Sequence, residues 1–451
     1  MNVHFIAIGG AAMHNLALAL HHKGLTVTGS DDEINEPSRS RLATYRLLPE
    51  KIGWFPEKIS TNLDAIILGM HARIDNPELL RAQQLGLPIF SYPEYIYEQS
   101  KNKKRIVIGG SHGKTTITSM IMHVLKKASK NFDYLVGSMI TGFDTMVRLS
   151  DAPVIIIEGD EYLASPIDRR PKFHLYKADV GIISGIAWDH INVFPTFENY
   201  YEQFELFAKQ IPADGKLIGC AEDEQVAQLM KSDAIHAMRI TYNLPAYETE
   251  DDVTYIIYEN IKYPISIFEK HNVINREAAI LACAEAGIYT HEFYKLIADF
   301  TGAARRLELV GRKDDFVFYK DFAHAPSKVK ATVDAVREQF PKHKLIACLE
   351  LHTFSSLNKT FLLDYRGCLD NADTAVVYFN HHTIAHKKLE ALSEEFVTTC
   401  FGGKVTVLTD SAMLKQMLLD APKSNTVLLM MSSGTFDGIN LNKLMDEFFE
   451  I

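Results

Sequence analysis

The segment Gly110-Ser111-His112-Gly113-Lys114-Thr115-Thr116 follows the apolar run Arg105-Ile106-Val107-Ile108 and precedes a helical stretch at 117–127. Glycines let backbone N–H groups approach phosphate oxygens, and the following helix adds the positive end of its dipole. Lys114 can reach the β- and γ-phosphates, and the Thr115 hydroxyl is placed to bind Mg²⁺. A chance Gly-Lys-Thr is the alternative, because Ile108 replaces the first glycine of GxxxxGK[ST]. The strand before and the helix after favour an ATP-binding phosphate loop.

Acidic residues follow the next apolar run. The segment Glu158-Gly159-Asp160-Glu161 comes directly after 154–157, and carboxylates at the C-terminal end of a parallel strand suit Mg²⁺, which prefers oxygen ligands. A solvated acidic turn is the alternative, and the phosphate loop upstream favours the metal site. After another run at 180–184, Trp188-Asp189-His190 offers an imidazole that can bind a second metal or orient a phosphate. A histidine is more often simply packed or exposed, so His190 stays undecided here.

Two further pairs of polar residues lie near the ends of predicted elements. Asn272 and Asn275 come before a predicted helix at 276–286, where an asparagine either caps the helix or reads the edge of an adenine. Arg305 and Arg306 lie at a predicted domain junction. They can clamp a phosphate with paired hydrogen bonds, or they can be surface charges at a linker.

Short β-branched runs alternate with helical stretches along the chain, which predicts parallel sheets covered by helices. We predict an α/β fold of three domains: a Rossmann-like N-terminal domain at 1–102, a P-loop ATPase central domain at 103–302 and a Rossmann-like C-terminal domain at 303–451. The first strand is expected at 3–8. The stretch 247–263 opens with an acidic run and then partly alternates, which predicts a small antiparallel excursion.

Composition narrows the class of protein. The chain has 451 residues and a formal net charge of −10, which argues against a nucleic acid partner. No apolar run approaches the roughly 20 residues that a membrane helix needs, and the N-terminus lacks the basic start of a secretory signal. The five cysteines are widely spaced and form no CxxC pair, so neither a zinc site nor a disulfide framework is expected and a reduced, cytoplasmic setting is favoured.

The first block carries a degraded dinucleotide fingerprint, Ile8-Gly9-Gly10-Ala11-Ala12-Met13. Asp31 stands about 20 residues further on, where such folds place the acid that binds ribose. This turn either binds a nucleotide or packs a helix tightly on its sheet. Two functions therefore compete with ATP-driven catalysis. One is an NAD(P)-dependent oxidoreductase that uses this turn, and the other is a nucleotide-sensing regulator that catalyses no reaction.

Taken in order, these motifs resemble those of the Mur ligases, which build the peptide stem of bacterial peptidoglycan, over nearly the whole chain. The matching passages beyond the first turn and the phosphate loop are Gly29-Ser30-Asp31, Asp75-Asn76-Pro77-Glu78, 158–161, Asp189-His190, His271-Asn272-x-x-Asn275, Arg305-Arg306-Leu307-Glu308 and Asp321-x-Ala323-His324-x-Pro326. The resemblance implies three α/β domains that bind UDP-N-acetylmuramate, ATP and an incoming amino acid or peptide. It implies that ATP activates the carboxylate as an acyl phosphate, which an amine attacks to give an amide, ADP and phosphate.

The resemblance also implies a role for each matched residue, with ATP and Mg²⁺ as the cofactors. Besides the loop 110–116, the residues expected to bind ATP are Asn272, Asn275, Arg306 and Asp321. Those expected to hold Mg²⁺ are Thr115, Glu158 and His190, with Glu161 as a helper. Those expected at the reaction centre are Lys114, His190, Arg306 and His324. Those expected to bind UDP-N-acetylmuramate or the acceptor are Gly9, Gly10, Ala11, Ala12, Met13, Ser30, Asp31, His71 and His352.

Within the family, the first block is similar to two groups, the UDP-N-acetylmuramate–L-alanine ligases and the murein peptide ligases, which attach recovered L-alanyl-γ-D-glutamyl-meso-diaminopimelate. Passages at 161–162 with 168–173, at 321–324 and at 431–439 favour the second group, so we expect ligation of the tripeptide, with L-alanine as the alternative acceptor. Two departures bear on the acceptor: Ala325 replaces the second histidine of Ala-His-His-Pro, and 350–357 lacks the usual arginine. We expect no carbamylated lysine, no nucleic acid or membrane partner, and a monomer or weak homodimer.

Overall fold

The structure, a computed structural model, describes residues 1–70, 72–188, 193–302 and 307–449. Three residues with predicted roles, His71, His190 and Arg306, lie outside these ranges. The chain divides into two compact units. The first comprises Met1–Pro245 and His271–Ile297, and the second comprises Ala246–Lys270 and Ala298–Ile451. This grouping differs from the predicted division into three domains, whose boundaries stay predictions.

The first unit begins with a four-stranded parallel sheet in the order β2-β1-β3-β4. The predicted first strand at 3–8 is too long at its C-terminal end. It ends at Ile6, because Ala7 adopts a positive φ of 70° and donates its N–H to the Ser30 carbonyl. The elements are β1 Asn2–Ile6, α1 Ala11–His22, β2 Thr26–Ser30, α2 Ser38–Thr44, β3 Ala65–Leu68, α3 Pro77–Gln84, β4 Ile89–Ser91 and α4 Tyr92–Ser100, with a 3₁₀ turn at Pro56–Lys58.

A seven-stranded sheet in the order β11-β10-β9-β5-β8-β6-β7 follows in the same unit. All neighbours are parallel except β6 and β7, and the β-branched runs of the three middle strands are buried, as the sequence predicts. Its elements are β5 Lys104–Gly109, α5 Lys114–Lys127, β6 Asp133–Leu135, β7 Val147–Arg148, β8 Val154–Glu158, α6 Lys172–Leu175, β9 Val180–Ile183, α7 Phe197–Gln210, β10 Lys216–Cys220, α8 Glu224–Leu229 and β11 Met238–Tyr242.

The predicted excursion at 247–263 is confirmed as a three-stranded antiparallel sheet, which belongs to the second unit. Its Thr254 hydroxyl hydrogen-bonds the Gln339 side chain of the same unit. The strands are β12 Tyr247–Glu250, β13 Val253–Tyr258 and β14 Ile261–Ile265, and the next two helices are α9 Lys270–Ala284 and α10 Thr290–Ile297.

The second unit also holds a six-stranded sheet in the order β15-β16-β20-β17-β18-β19, parallel except for the edge strand β15. Its elements are β15 Glu308–Lys313, β16 Phe316–Asp321, α11 Pro326–Gln339, β17 Lys344–Glu350, α12 Lys359–Leu362, β18 Thr374–Tyr378, α13 His381–His386, α14 Glu394–Cys400, β19 Thr406–Leu408, α15 Ser411–Leu419, β20 Thr426–Met431 and α16 Leu441–Phe449, with a 3₁₀ turn at Leu363–Tyr365. The predicted α/β class is confirmed. Across the described ranges, the structure contains no helix with the length and apolar character needed to cross a bilayer.

Candidate functional site

The segment at 110–116 lies at the C-terminal end of β5, the middle strand of the seven-stranded sheet, and leads into α5. Gly113 is the N-cap of α5 with a φ of 82°, and Gly110 has a φ of 134°. A Cβ atom on Gly113 would lie only 2.7 Å from Asn275 Oδ1, so the close approach of α9 as well as the backbone conformation requires glycine here. The predicted order of strand, glycine loop and helix is confirmed.

The Lys114 side chain folds back over this loop. Its Nζ donates to the Gly110 carbonyl at 2.5 Å and to Glu161 Oε2 and Oε1 at 2.8 and 3.1 Å. The Glu161 side chain is only 2% exposed and that of Lys114 18%, so the two charges compensate each other in a mostly buried place. Glu161, predicted as a helper for Mg²⁺, therefore contacts the lysine of the loop in this structure.

Thr115 and Glu158 are brought together from adjacent elements. The Thr115 hydroxyl donates to Glu158 Oε1 at 2.7 Å, and the Gly137 N–H donates to Glu158 Oε2 at 2.9 Å. Both side chains offer oxygen donors, which suits Mg²⁺. In the parts of the chain that the structure describes, no cluster of three or more His, Cys, Asp or Glu side chains could hold a metal. His190, the predicted third ligand, lies outside them.

Asp160 contacts a different cation. Its Oδ2 accepts a hydrogen bond from Lys172 Nζ at 2.5 Å. Burial raises the pKa of the Asp160 carboxyl, but the charge and hydrogen bond of Lys172, the Tyr162 N–H and the charge of Lys114 together outweigh burial, so the net pKa lies below its usual range. Asp160 is thus ionised and engaged by Lys172.

Asn272 and Asn275 lie within α9, which begins at Lys270. The predicted helix start at 276 is therefore wrong, and neither asparagine caps that helix from outside. Both are 6% exposed, and the helix buries Val273 and Ala278 completely, so tertiary packing extends it beyond its local propensity. The approach of Asn275 Oδ1 to Gly113 brings this part of α9 next to the loop.

In the first block, Asp31 closes the glycine turn. Its Oδ2 accepts the Gly9 N–H at 2.6 Å, and the side chain is buried. Burial raises the pKa of Asp31, while the hydrogen bond from Gly9 opposes this shift. Gly10, the N-cap of α1, is exposed together with Ala11 and Ala12, and Met13 is buried. The positive end of α1 is therefore open to an anion.

The second unit contains a cavity of about 540 Å³. Its lining residues are Lys320, Asp321, Phe322, His352, Met430, Ser432, Ser433, Gly434, Thr435, Phe436, Ile439 and Leu441. Glu350, which is 4% exposed, accepts hydrogen bonds from the Ser432 hydroxyl and, at 2.8 Å, from the Phe436 N–H. Its Oε1 lies 3.6 Å from His352 Nδ1. This buried carboxylate thus fixes the loop that lines the cavity and lies beside the His352 imidazole.

Two other predicted residues lie near the same cavity. Asp321 accepts the backbone N–H groups of Leu307 and Ala323, both at 2.6 Å, and holds the start of β15 against the end of β16. His324 Nδ1 lies 2.8 Å from the Phe322 carbonyl, a distance at which its N–H donates. Predicted residues of the second unit therefore gather at one sheet edge, with Arg306 outside the described ranges.

Sequence reasoning missed Tyr200, which reaches the phosphate loop from α7. Its hydroxyl lies 2.9 Å from Ser111 Oγ and 3.2 Å from Glu161 Oε1. On the helix it shares a buried face with Phe204 and Phe207, a spacing that is typical of core packing. No local signal distinguished its hydroxyl from that of an ordinary core tyrosine.

A glycine loop on the middle strand of a parallel sheet, with a lysine, a threonine and carboxylates from the adjacent strand, defines a P-loop nucleotide-binding α/β enzyme. Family models match nearly the whole chain. The Mur ligase family catalytic domain matches 2–104, the Mur ligase middle domain matches 108–283, and the Mur ligase glutamate ligase domain matches 305–434.

Individual members of this family are similar to the chain in sequence and in structure. The UDP-N-acetylmuramate–L-alanine ligase of Caldicellulosiruptor saccharolyticus is 32% identical over 84% of this chain and 83% of that protein. Among solved structures, the UDP-N-acetylmuramate–alanine ligase of Thermotoga maritima gives a TM-score of 0.67 at 21% identity, covering 100% of this chain and 98% of that one. The murein peptide ligase of Psychrobacter arcticus gives 0.60 at 22%, covering 100% and 99%.

The chain belongs to the Mur ligase family. It is an ATP-dependent, ADP-forming amide ligase of peptidoglycan metabolism, and its family uses ATP with Mg²⁺. The predicted three-domain α/β fold is confirmed by the structural neighbours. The NAD(P)-dependent alternative is wrong, because the glycine turn of the first block belongs to a family of ligases.

Proposed function

We propose that this ligase joins the carboxylate of UDP-N-acetylmuramate to the amine of L-alanyl-γ-D-glutamyl-meso-diaminopimelate, and so returns a recovered peptide to peptidoglycan synthesis. The observation that carries the proposal is the cavity of about 540 Å³ in the second unit. Pockets that bury ligands of drug-like size span about 300–1,000 Å³, and a tripeptide falls in that size class, so the volume suits a peptide. The passage at 431–439, which resembles the murein peptide ligases, forms much of its wall.

Ligation of L-alanine is the second candidate, since curated relatives such as that of Caldicellulosiruptor saccharolyticus carry that name. The two acceptors differ in size and charge, so one assay distinguishes them. We would incubate the protein with ATP, Mg²⁺, UDP-N-acetylmuramate and either acceptor, and follow the release of phosphate. We expect turnover with the tripeptide. Turnover with L-alanine alone would overturn the choice of acceptor.

For the first half-reaction, we propose that the loop 110–116 binds the ATP phosphates and that Lys114 stabilises charge on the phosphoryl group in transfer. Its support is the position of Lys114 Nζ over the loop, 2.5 Å from the Gly110 carbonyl. Thr115 and Glu158, with His190, would hold Mg²⁺, which would neutralise phosphate charge. Asn272 and Asn275 are proposed to lie by the adenine, and Arg306 and Asp321 are proposed to contact the nucleotide.

For the second half-reaction, His324 is proposed to act near the acyl phosphate, and His352 is proposed to contact the acceptor. In the first block, the exposed N-terminal end of α1 is proposed to bind the diphosphate, with Ser30, Asp31 and His71 near the rest of the UDP-sugar. The 2.6 Å hydrogen bond from Gly9 to Asp31 supports this, because it fixes the turn that leads into the exposed end of the helix. A cytoplasmic location and a monomer or weak homodimer stay predictions.

A further inference from the structure

Tyr200 connects the helix face of α7 to the phosphate loop. Its ring is completely buried and packs edge-on against Phe204, with ring centroids 5.2 Å apart. Phe204 in turn packs edge-on against Phe173 at 5.4 Å. The Tyr200 ring also packs against Phe194, with ring centroids 5.5 Å apart. Because the buried ring is held between these aromatic side chains, the fold sets the position of the phenol oxygen.

The hydroxyl of Tyr200 lies between two groups of the loop region. It donates to Glu161 Oε1 at 3.2 Å, and it lies 2.9 Å from Ser111 Oγ. A phenol has one proton, so when this proton goes to the carboxylate, Ser111 must donate to the phenol oxygen. The Ser111 oxygen remains an acceptor, and it receives the Ala187 N–H at 2.8 Å.

The same carboxylate holds the lysine of the loop. Glu161 accepts from both Tyr200 and Lys114, so a directed chain of hydrogen bonds runs from Ser111 through Tyr200 to Glu161, and Lys114 joins it from the other side. The Lys114 ammonium has three protons, so a proton that it gives to a phosphate is withdrawn from its contacts with Gly110 and Glu161. A buried carboxylate that loses its cation is destabilised unless other donors stay with it, and the Tyr200 hydroxyl is such a donor.

We propose that Tyr200 is a positioning residue of the ATP site. Its hydroxyl fixes Ser111 at the start of the loop and keeps a hydrogen bond on Glu161 when Lys114 moves to the nucleotide. This role rests on the proposed contact of Lys114 with the ATP phosphates. Tyr200 acts through Ser111 and Glu161 and does not itself touch the nucleotide.

The first test compares Tyr200→Phe with Tyr201→Phe in the full-length protein. Tyr201 is the matched control, since its ring packs against Phe197 on the same helix, at a centroid distance of 6.0 Å. For Tyr200→Phe we expect the affinity for a non-hydrolysable ATP analogue with Mg²⁺, and kcat/KM for ATP, to fall about tenfold, as for the loss of a hydrogen bond to a charged group. The KM for UDP-N-acetylmuramate should not change, and Tyr201→Phe should behave as the wild type.

A double-mutant cycle with Ser111→Ala separates positioning from packing. If the hydroxyls form one chain, the losses in analogue affinity from Tyr200→Phe and Ser111→Ala will not add, because either change interrupts the same chain. Additive losses would overturn the proposal. So would a lower Tm for Tyr200→Phe with unchanged analogue affinity, since that is the result of a packing role alone.

One further variant separates this inference from the proposed role of Lys114. Lys114→Met should weaken binding of the analogue. If it does so while Tyr200→Phe binds the analogue as the wild type does, the positioning role of Tyr200 is wrong and the role of Lys114 stands. If Lys114→Met binds the analogue normally, the proposed role of Lys114 is wrong, and the positioning role of Tyr200, which rests on it, is wrong too. Analogue binding involves no acceptor, so the choice of tripeptide or L-alanine does not affect this result.

Discussion

At the scale of single residues, the loop lysine has its charge compensated before any nucleotide arrives. Lys114 and Glu161 contact each other at 2.8 Å with little exposure to solvent. Such a pair contributes little net stability compared with apolar packing, but removing one partner leaves a charge buried. A change to this pair is therefore expected to affect both catalysis at the loop and the stability of the protein. Turnover and thermal unfolding measure the two effects separately.

We expect Lys114→Met to abolish turnover and to lower stability by about 1–3 kcal/mol, because it leaves the buried Glu161 carboxylate without the lysine. Affinity for UDP-N-acetylmuramate should stay nearly unchanged, since the proposed UDP-sugar site lies in another sheet. Adding Glu161→Gln should restore the Tm and leave the protein inactive. Thermal unfolding, turnover and UDP-sugar titration check the three expectations.

The control is Lys101→Met, which removes an exposed partner of Glu98 and should leave the Tm within error. A Lys114→Met/Glu161→Gln protein as unstable as the single variant would contradict the explanation by a buried charge. Loss of UDP-sugar affinity together with turnover would mean that the first-block site is misplaced.

At the scale of elements, the order of strands brings distant segments to the loop. β5 lies between β8 and β9, so the residues that follow these three strands meet at one edge of the sheet. α9 returns from later in the chain to the same edge, where Asn275 faces Gly113. The loop is thus enclosed by elements far apart in sequence, and its glycines must fit all of them.

A residue with a Cβ atom loses roughly 1–2 kcal/mol of stability when its backbone is left-handed. We expect Gly113→Ala to cost more than this and to lower ATP turnover strongly. The additional loss comes from a steric clash, because the new Cβ atom would lie only 2.7 Å from Asn275 Oδ1. Gly24→Ala is the matched control, with a φ of 88° and nothing within 4 Å of its Cβ. Chemical denaturation and initial rates measure both effects, and equal losses in the two variants would contradict the contact with α9.

At the scale of the whole molecule, folding stability depends on groups whose pKa differs between the folded and unfolded chain. His14 is one such group, buried on α1 beside the glycine turn, with Nδ1 3.0 Å from the Gly10 carbonyl. Burial lowers its pKa, the hydrogen bond to Gly10 opposes this, and the nearby Arg41 lowers it further. The imidazole is therefore held neutral in the folded protein.

The lowered pKa of His14 determines the direction in which folding stability changes with pH. The unfolded chain binds the His14 proton near the usual pKa of about 6.5, and the folded chain binds it only at lower pH. The stabilisation is thus complete above about pH 6.5 and is lost as pH falls through the lowered folded pKa. The Tm of the wild type should fall more between pH 7.5 and 5.5 than that of His14→Gln. The exposed His22→Gln should follow the wild type, and parallel profiles for all three proteins would contradict the assignment to His14.

Features whose residues are neighbours along the chain could be predicted without the structure. The phosphate loop, the carboxylates after 154–157, the alternation of strands and helices and the antiparallel excursion were all predictable, because neighbouring residues carry them. The family followed from the order of such motifs, since an ordered set is more specific than any one of them. Roles assigned by resemblance, including those of His71, His190 and Arg306, stay predictions.

Which of these residues contact one another follows only from the folded chain. That Glu161 meets Lys114, that Tyr200 joins Ser111 to Glu161, and that α9 begins at Lys270 all depend on contacts between segments far apart in the chain. Local propensity has no information about such contacts, because packing and burial between distant elements supply the energy that selects them. The lysine of the opening loop is thus evident from seven consecutive residues, while its buried partner and the tyrosine behind it are properties of the fold.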